Sequence, residues 1–179
     1  MNDSDRLSLI VEAVKYCQKV KQMKMPPSCY SKALREPIFF LWELRIAKNK
    51  LKAAGYRSKA AVGMNAGGGK LIYDHSVLFS YLQDELLDLE SVTIESVREI
   101  LERHGTACLI TWDEDRALSK AGLGRRMPPD WDRKDPLARY RALKIEILPN
   151  CDSGETSSEP SSEDAHTDQA IARPEASNW

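Results

Sequence analysis

Ala107-Cys108-Leu109-Ile110-Thr111-Trp112-Asp113-Glu114 is the stretch on which the fold turns. Its first four residues are continuously apolar, as strands covered on both faces are. Thr111 then stands three residues before Glu114, the spacing of a capping box, so a helix opens where the strand ends. That helix runs to Ala121, and Gly122-Leu123 supplies a glycine stop followed by an apolar residue. Strand passing directly into helix is the building unit of α/β architecture.

Working upstream, Leu71-Ile72-Tyr73 reads as a second short strand, separated from the first by two helical patterns. Val77, Leu78, Tyr81, Leu82, Leu86 and Leu89 repeat at three and four over residues 76–89. After Thr93, the residues Ile94, Val97, Ile100 and Leu101 share one face up to Gly105. Two strands joined through helices predict a right-handed parallel crossover. Downstream come a turn-rich loop over Gly124–Pro136, a helical turn over Leu137–Ala142 and a last strand over Lys144–Leu148. The expected fold is therefore α/β or α+β, with a small, mostly parallel sheet of about three strands under covering helices.

The front of the chain is helical. Leu7, Ile10, Val11, Val14 and Cys17 fall at helical spacing over residues 5–24, with Ser4 as the expected N-cap. Met25-Pro26-Pro27 ends that helix, because neither proline can donate a backbone hydrogen bond. A second helical region runs from Cys29 to Ala54, with Pro37 breaking it or opening its main segment. Ile38, Leu41, Trp42, Leu44 and Leu51 form its apolar stripe. It is expected to stop at Gly55, with Tyr56 packing back on the glycine cap. Arg57–Gly69 reads as a short helix or loop, and Gly67-Gly68-Gly69 as a flexible joint. Residues 1–150 thus form one globular domain, a basic helical part over 1–69 and an α/β part over 70–150. Residues 151–179, rich in Ser, Glu, Asp, Thr and Pro, read as a disordered acidic tail on composition.

Composition narrows the function classes. With 42% apolar and 30% charged residues, the chain is of ordinary globular type. Its longest apolar stretch, Ile38 to Trp42, is far too short to span a bilayer, so no membrane partner is expected. The acidic start, Met1-Asn2-Asp3-Ser4-Asp5, has no apolar segment behind it, and secretion is not expected. Cys17, Cys29, Cys108 and Cys151 form no CxxC pair and lie near no histidine at zinc spacing, so no metal site is expected. They read as reduced thiols of a cytoplasmic protein. The net charge of −1 conceals an asymmetry: residues 1–70 hold 14 Lys and Arg against 5 Asp and Glu, whereas residues 151–179 hold 1 against 7. A basic front either meets an anionic partner or is screened by the chain's own acidic end.

Three groups of residues carry chemistry. Gly63-Met64-Asn65-Ala66-Gly67-Gly68-Gly69-Lys70 resembles a phosphate-binding loop only in glycine content. The residue after Gly68 is glycine instead of lysine, and the run precedes a strand instead of following one, so a nucleotide site is rejected. The second group is Asp74 and His75, after one strand, with Asp113 after the next. Were those strands parallel neighbours, all three would meet at the carboxyl edge of the sheet. There the carboxylates would hold Mg²⁺ and His75 would act as base in phosphodiester hydrolysis. The plainer reading makes Asp74-His75-Ser76 and Asp113-Glu114-Asp115 the caps of two helices. The third group is basic: Lys48, Lys50, Lys52, Arg57 and Lys59, with Arg125 and Arg126 in the later loop. Such clusters bind phosphate backbones, and Tyr56 and Trp131 beside arginines can stack on unpaired bases.

Taken together, the residues favour a non-enzymatic, cofactor-free binding or accessory protein. Its basic helical surface would contact an anionic partner, nucleic acid (DNA or RNA) first. The alternatives are the Mg²⁺-dependent phosphodiesterase on Asp74, His75 and Asp113, and a protein–protein adaptor using Phe39, Phe40 and Trp42.

Overall fold

The computed structural model describes residues 1–64 and 70–150. The glycine joint and the acidic tail expected over 151–179 lie outside the described residues. Helix α1 spans Asp3–Gln22 and buries Leu7, Ile10, Val11, Val14 and Cys17, the five residues its spacing selects. Its cap is Asn2 instead of Ser4: the Asn2 side chain accepts from the Asp5 N–H at 2.8 Å, and Asp5 accepts from the Asn2 N–H.

Helix α2, Ser31–Pro37, ends at its proline, as expected of a break, but the chain stays helical. The chain continues through a wider turn, Ile38–Trp42, in which the Glu43 N–H reaches back to the Ile38 carbonyl. Proline has no N–H to give and its ring crowds the preceding turn. A turn closing over five residues absorbs that offset. It also splits the aromatic run Phe39-Phe40-Leu41-Trp42. Ile38 and Trp42 enter the core, whereas Phe40 stays 59% exposed. A tight turn over Glu43–Arg45 and the short α3, Lys50–Ala53 capped by Asn49, complete this region.

The expected glycine cap at Gly55-Tyr56 does not form. Ala54 is already extended, and Tyr56 enters strand β1, Tyr56–Ser58. Three residues are too few for an alternating pattern to show in sequence. Strands β2, Leu71–His75, β3, Ala107–Thr111, and β4, Ile147–Pro149, complete a four-stranded mixed sheet of order β2-β3-β1-β4. Only β1 and β3 are parallel; β2–β3 and β1–β4 are antiparallel. This corrects the expectation of about three mostly parallel strands. The cause lies between β2 and β3, where two helices intervene, α4 over Phe79–Leu87 and α5 over Ile94–His104. One helix returns the chain to the end where its strand began, giving a parallel neighbour. A second carries it back again, so β3 must run the opposite way. The centre of the sheet also takes β1 from the basic front, so the two parts expected on either side of residue 69 share one sheet.

Two apolar cores result. Helices α1, α2, α4 and α5 enclose the first, around residues such as Leu34, Leu86, Leu101 and Trp42. The second lies between one sheet face (Ile72, Cys108, Ile110) and the elements α6, Trp112–Lys120, and α7, Ala138–Ala142, through Leu118, Leu123 and Tyr140. The box of Thr111 and Glu114 caps α6, and the stop at Gly122 forms with φ +76° and Leu123 buried behind it. Among the described residues, no helix is long and apolar enough to cross a membrane.

The same packing sets thiol reactivity. Cys17 and Cys108 are buried and Cys29 is exposed. Burial pushes the Cys108 thiol up to about 12 and raises Cys17 as well. Since only thiolates react readily, native alkylation followed by peptide mapping should label Cys29 and spare Cys17 and Cys108 until denaturant is added. Early labelling of Cys108 would contradict the packing described.

Candidate functional site

Antiparallel pairing separates the residues that the parallel reading brought together. Asp74 pairs with Cys108 and His75 with Ala107, whereas Leu71 pairs with Thr111, just before Asp113. Asp74 and His75 therefore stand at one end of β2 and Asp113 beyond the other, about 13 Å of strand away. The grouping Asp74, His75 and Asp113 does not form. Asp113 lies exposed in the first turn of α6, whose cap is made by Thr111 and Glu114. Glu114 Oε2 also accepts from Ser58 Oγ at 2.6 Å, tying α6 to β1. Asp74 and His75 do not cap α4 either: both lie within β2, and α4 starts after Leu78 with no side-chain cap.

Alternation along β2 sends Asp74 and His75 to opposite faces. Asp74 points toward α7, where its Oδ2 accepts from Arg139 Nη2 at 2.6 Å and from the Tyr140 hydroxyl at 2.8 Å. Arg139, 1% exposed, also donates to the carbonyls of Ser76, Leu123 and His75. Burial raises the Asp74 carboxyl above its ordinary value, while Arg139 and Tyr140 pull it down. With Arg139 and Tyr140 buried and Asp74 mostly so, this network is a structural lock.

His75 points the other way, with Tyr73, onto the turn following α2. There Glu43, only 5% exposed, receives both side chains. The Tyr73 hydroxyl donates to Glu43 Oε2 at 2.7 Å, and His75 Nε2 lies 3.0 and 3.1 Å from the two carboxylate oxygens. Burial, and then the Glu43 charge, hold the Tyr73 hydroxyl above its ordinary value. A carboxylate only accepts, so Nε2 carries a ring hydrogen, and in the neutral ring the lone pair falls on Nδ1.

His75 and Tyr73 form one wall of a groove of about 690 Å³. Phe39, Phe40 and Phe79 add further rings, and Lys32, Arg35 and Lys50 add positive charge. Adjacent rings meet edge to face: Phe39 with Phe40 at 5.1 Å, Phe39 with Tyr73 at 6.3 Å, and Tyr73 with His75 at 5.7 Å. The Arg35 guanidinium lies 5.8 Å from the Phe79 ring centre. Lys32 also pairs with Glu36, at 3.5 Å across one exposed helical turn, an arrangement that holds a lysine only weakly.

Of the seven basic residues singled out in sequence, Lys50 reaches this groove. Lys48 and Lys52 flank it on the same exposed segment. Arg57 lies in β1 in the row Tyr73–Leu109–Arg57, on the same sheet face. Lys59 pairs with Glu146 at 2.8 Å. Arg125 and Arg126 are exposed in the loop between α6 and α7, whose Leu123 and Leu137 pack on the opposite sheet face. The aromatic stripe Phe39, Phe40 and Trp42 is likewise divided, Trp42 being buried.

Glu43, Lys32, Arg35 and Phe79 escaped the sequence reading. Glu43 had a signal, a lone carboxylate inside Ile38-Phe39-Phe40-Leu41-Trp42-Glu43-Leu44, since a buried charge must find partners. A second groove, about 610 Å³, runs past Lys21, Asp84, Asp88, Glu99, Arg103 and Arg133; there Lys21 pairs with Asp88 and Arg103 with Glu99. Beside it His104 does not cap its helix end: its Nδ1 meets Glu85 at 2.8 Å and its Nε2 the Arg133 carbonyl at 3.0 Å. Among the described residues, no three His, Cys, Asp or Glu side chains converge as a metal would need. No family model, curated protein or solved structure matches this chain.

Proposed function

We propose that the protein binds unpaired nucleic acid in the groove between α2 and β2. The observation that carries this reading is the lining: Phe39, Phe40, Tyr73 and Phe79, with Lys32, Arg35 and Lys50 outnumbering Glu36 around one opening. Aromatic faces take bases of any sequence, and cations track the phosphates between them. A duplex hides its base faces and leaves such rings unused, so single strands are the preferred partner. This moves the binding surface from the basic helical front as a whole to one groove. The free thiols of Cys17, Cys29 and Cys108 support a cytoplasmic setting.

Fluorescence anisotropy with single- and double-stranded DNA and RNA, over a salt series with and without Mg²⁺, tests the proposal. Single strands should bind more tightly than duplexes, with log Kd varying with log salt at a slope of about 2 for three phosphate contacts. Replacing Lys32, Arg35 and Lys50 together by alanine should flatten that slope. Phe79→Ala should weaken binding by about 1–3 kcal/mol. Equal affinity for duplexes, or a slope unaltered in the triple variant, would overturn it.

A further inference from the structure

The groove holds one feature that binding alone leaves unused. His75 is fixed through Nε2 by a buried carboxylate, itself held by Tyr73. Nδ1 has no hydrogen-bond partner among the described residues, and His75 lines the opening. A histidine held through one ring nitrogen by a carboxylate, with the other nitrogen unpartnered and the residue lining a cleft, is the arrangement of a general base. The three cations on the same groove are suited to the charge that builds on a phosphate under attack.

We propose that the groove cleaves RNA, with His75 Nδ1 taking the proton of a ribose 2′-hydroxyl. This rests on the single-strand binding reading and adds to it a substrate class and a reaction. As the proton moves to Nδ1, O2′ forms a bond to the adjacent phosphorus and the bond from phosphorus to O5′ breaks. The departing O5′ takes a proton from water, and the hydroxide left behind recovers the proton from His75. The products are one strand ending in a 2′,3′-cyclic phosphate and one beginning with a 5′-hydroxyl. No electrons are exchanged, and the step draws on no metal ion. Lys32, Arg35 and Lys50 offset the added negative charge on the non-bridging oxygens. Glu43 is a positioning residue that keeps the ring hydrogen on Nε2.

The full chain, incubated in EDTA with a short single-stranded RNA and its 2′-O-methyl counterpart, should cleave the first and leave the second intact but bound. The new ends should be 2′,3′-cyclic phosphates. His75→Ala should lower turnover at least about 100-fold while still binding the 2′-O-methyl strand, and free imidazole should restore part of the rate. Glu43→Gln should lower kcat with KM unchanged. In the unaltered protein, ¹⁵N spectra should show the His75 ring protonated at Nε2. Binding of both strands without cleavage, or full turnover in His75→Ala, overturns the inference and leaves the binding reading standing. Failure to bind either strand removes both.

Discussion

Replacing Arg139 with alanine is expected to destabilise the protein by about 3–5 kcal/mol, the usual cost of orphaning one partner of a buried ion pair. At this chain length that is roughly 10–15 °C in Tm. Arg139 gathers Asp74, three carbonyls and the Tyr140 ring into one largely buried network. Its loss leaves the Asp74 carboxylate with only the Tyr140 hydroxyl. The sign of the pH dependence follows. Burial already raises the Asp74 carboxyl in the folded state. The folded protein thus keeps a proton that the unfolded chain has released, and stability from this group falls as pH rises through that window. Without the guanidinium the carboxyl rises further, so the deficit of Arg139→Ala should shrink toward acid pH. Adding Asp74→Asn should recover part of it at neutral pH. Urea unfolding followed by circular dichroism measures all three chains. A loss under about 1 kcal/mol, the size of an exposed pair, would mean that the network is not closed.

Trp42→Ala and Phe40→Ala should part company, although the two residues are neighbours in one aromatic run. Trp42 is 2% exposed and packs in the helical core, with the Arg45 guanidinium 3.8 Å from its ring centre. Its truncation should cost about 3–5 kcal/mol. Phe40 is 59% exposed at the groove. Its truncation should change stability by no more than about 0.5 kcal/mol and weaken single-strand binding instead. Thermal unfolding and anisotropy on the same preparations separate the two effects. Equal destabilisation by both would show that the wide turn after Pro37 does not divide the run.

Helix α1 illustrates what was legible in sequence. Its five buried residues follow from spacing, because a helix face is a local property repeating every 3.6 residues. The capping box of Thr111 and Glu114 and the stop at Gly122 are local in the same way: each concerns a few consecutive residues and backbone groups with no other partner. The lone carboxylate Glu43 was visible too, but its partners Tyr73 and His75 lie 30 and 32 positions away. Neither strand β1 nor the neighbours of Lys50 had a local signature.

The candidate site depended on strand direction. Asp74, His75 and Asp113 form a constellation only if β2 and β3 run together, and apolar strands look alike in either direction. Once β3 runs antiparallel to β2, Asp113 leaves and alternation turns Asp74 inward to Arg139 and His75 outward to Glu43. Helix faces, caps and the excess of positive charge in the front were set by neighbouring residues, and so by the sequence itself. Sheet order, the partner of each buried charge and the joining of rings with cations in one groove came only with the tertiary structure, because they depend on how many times the chain reverses between strands.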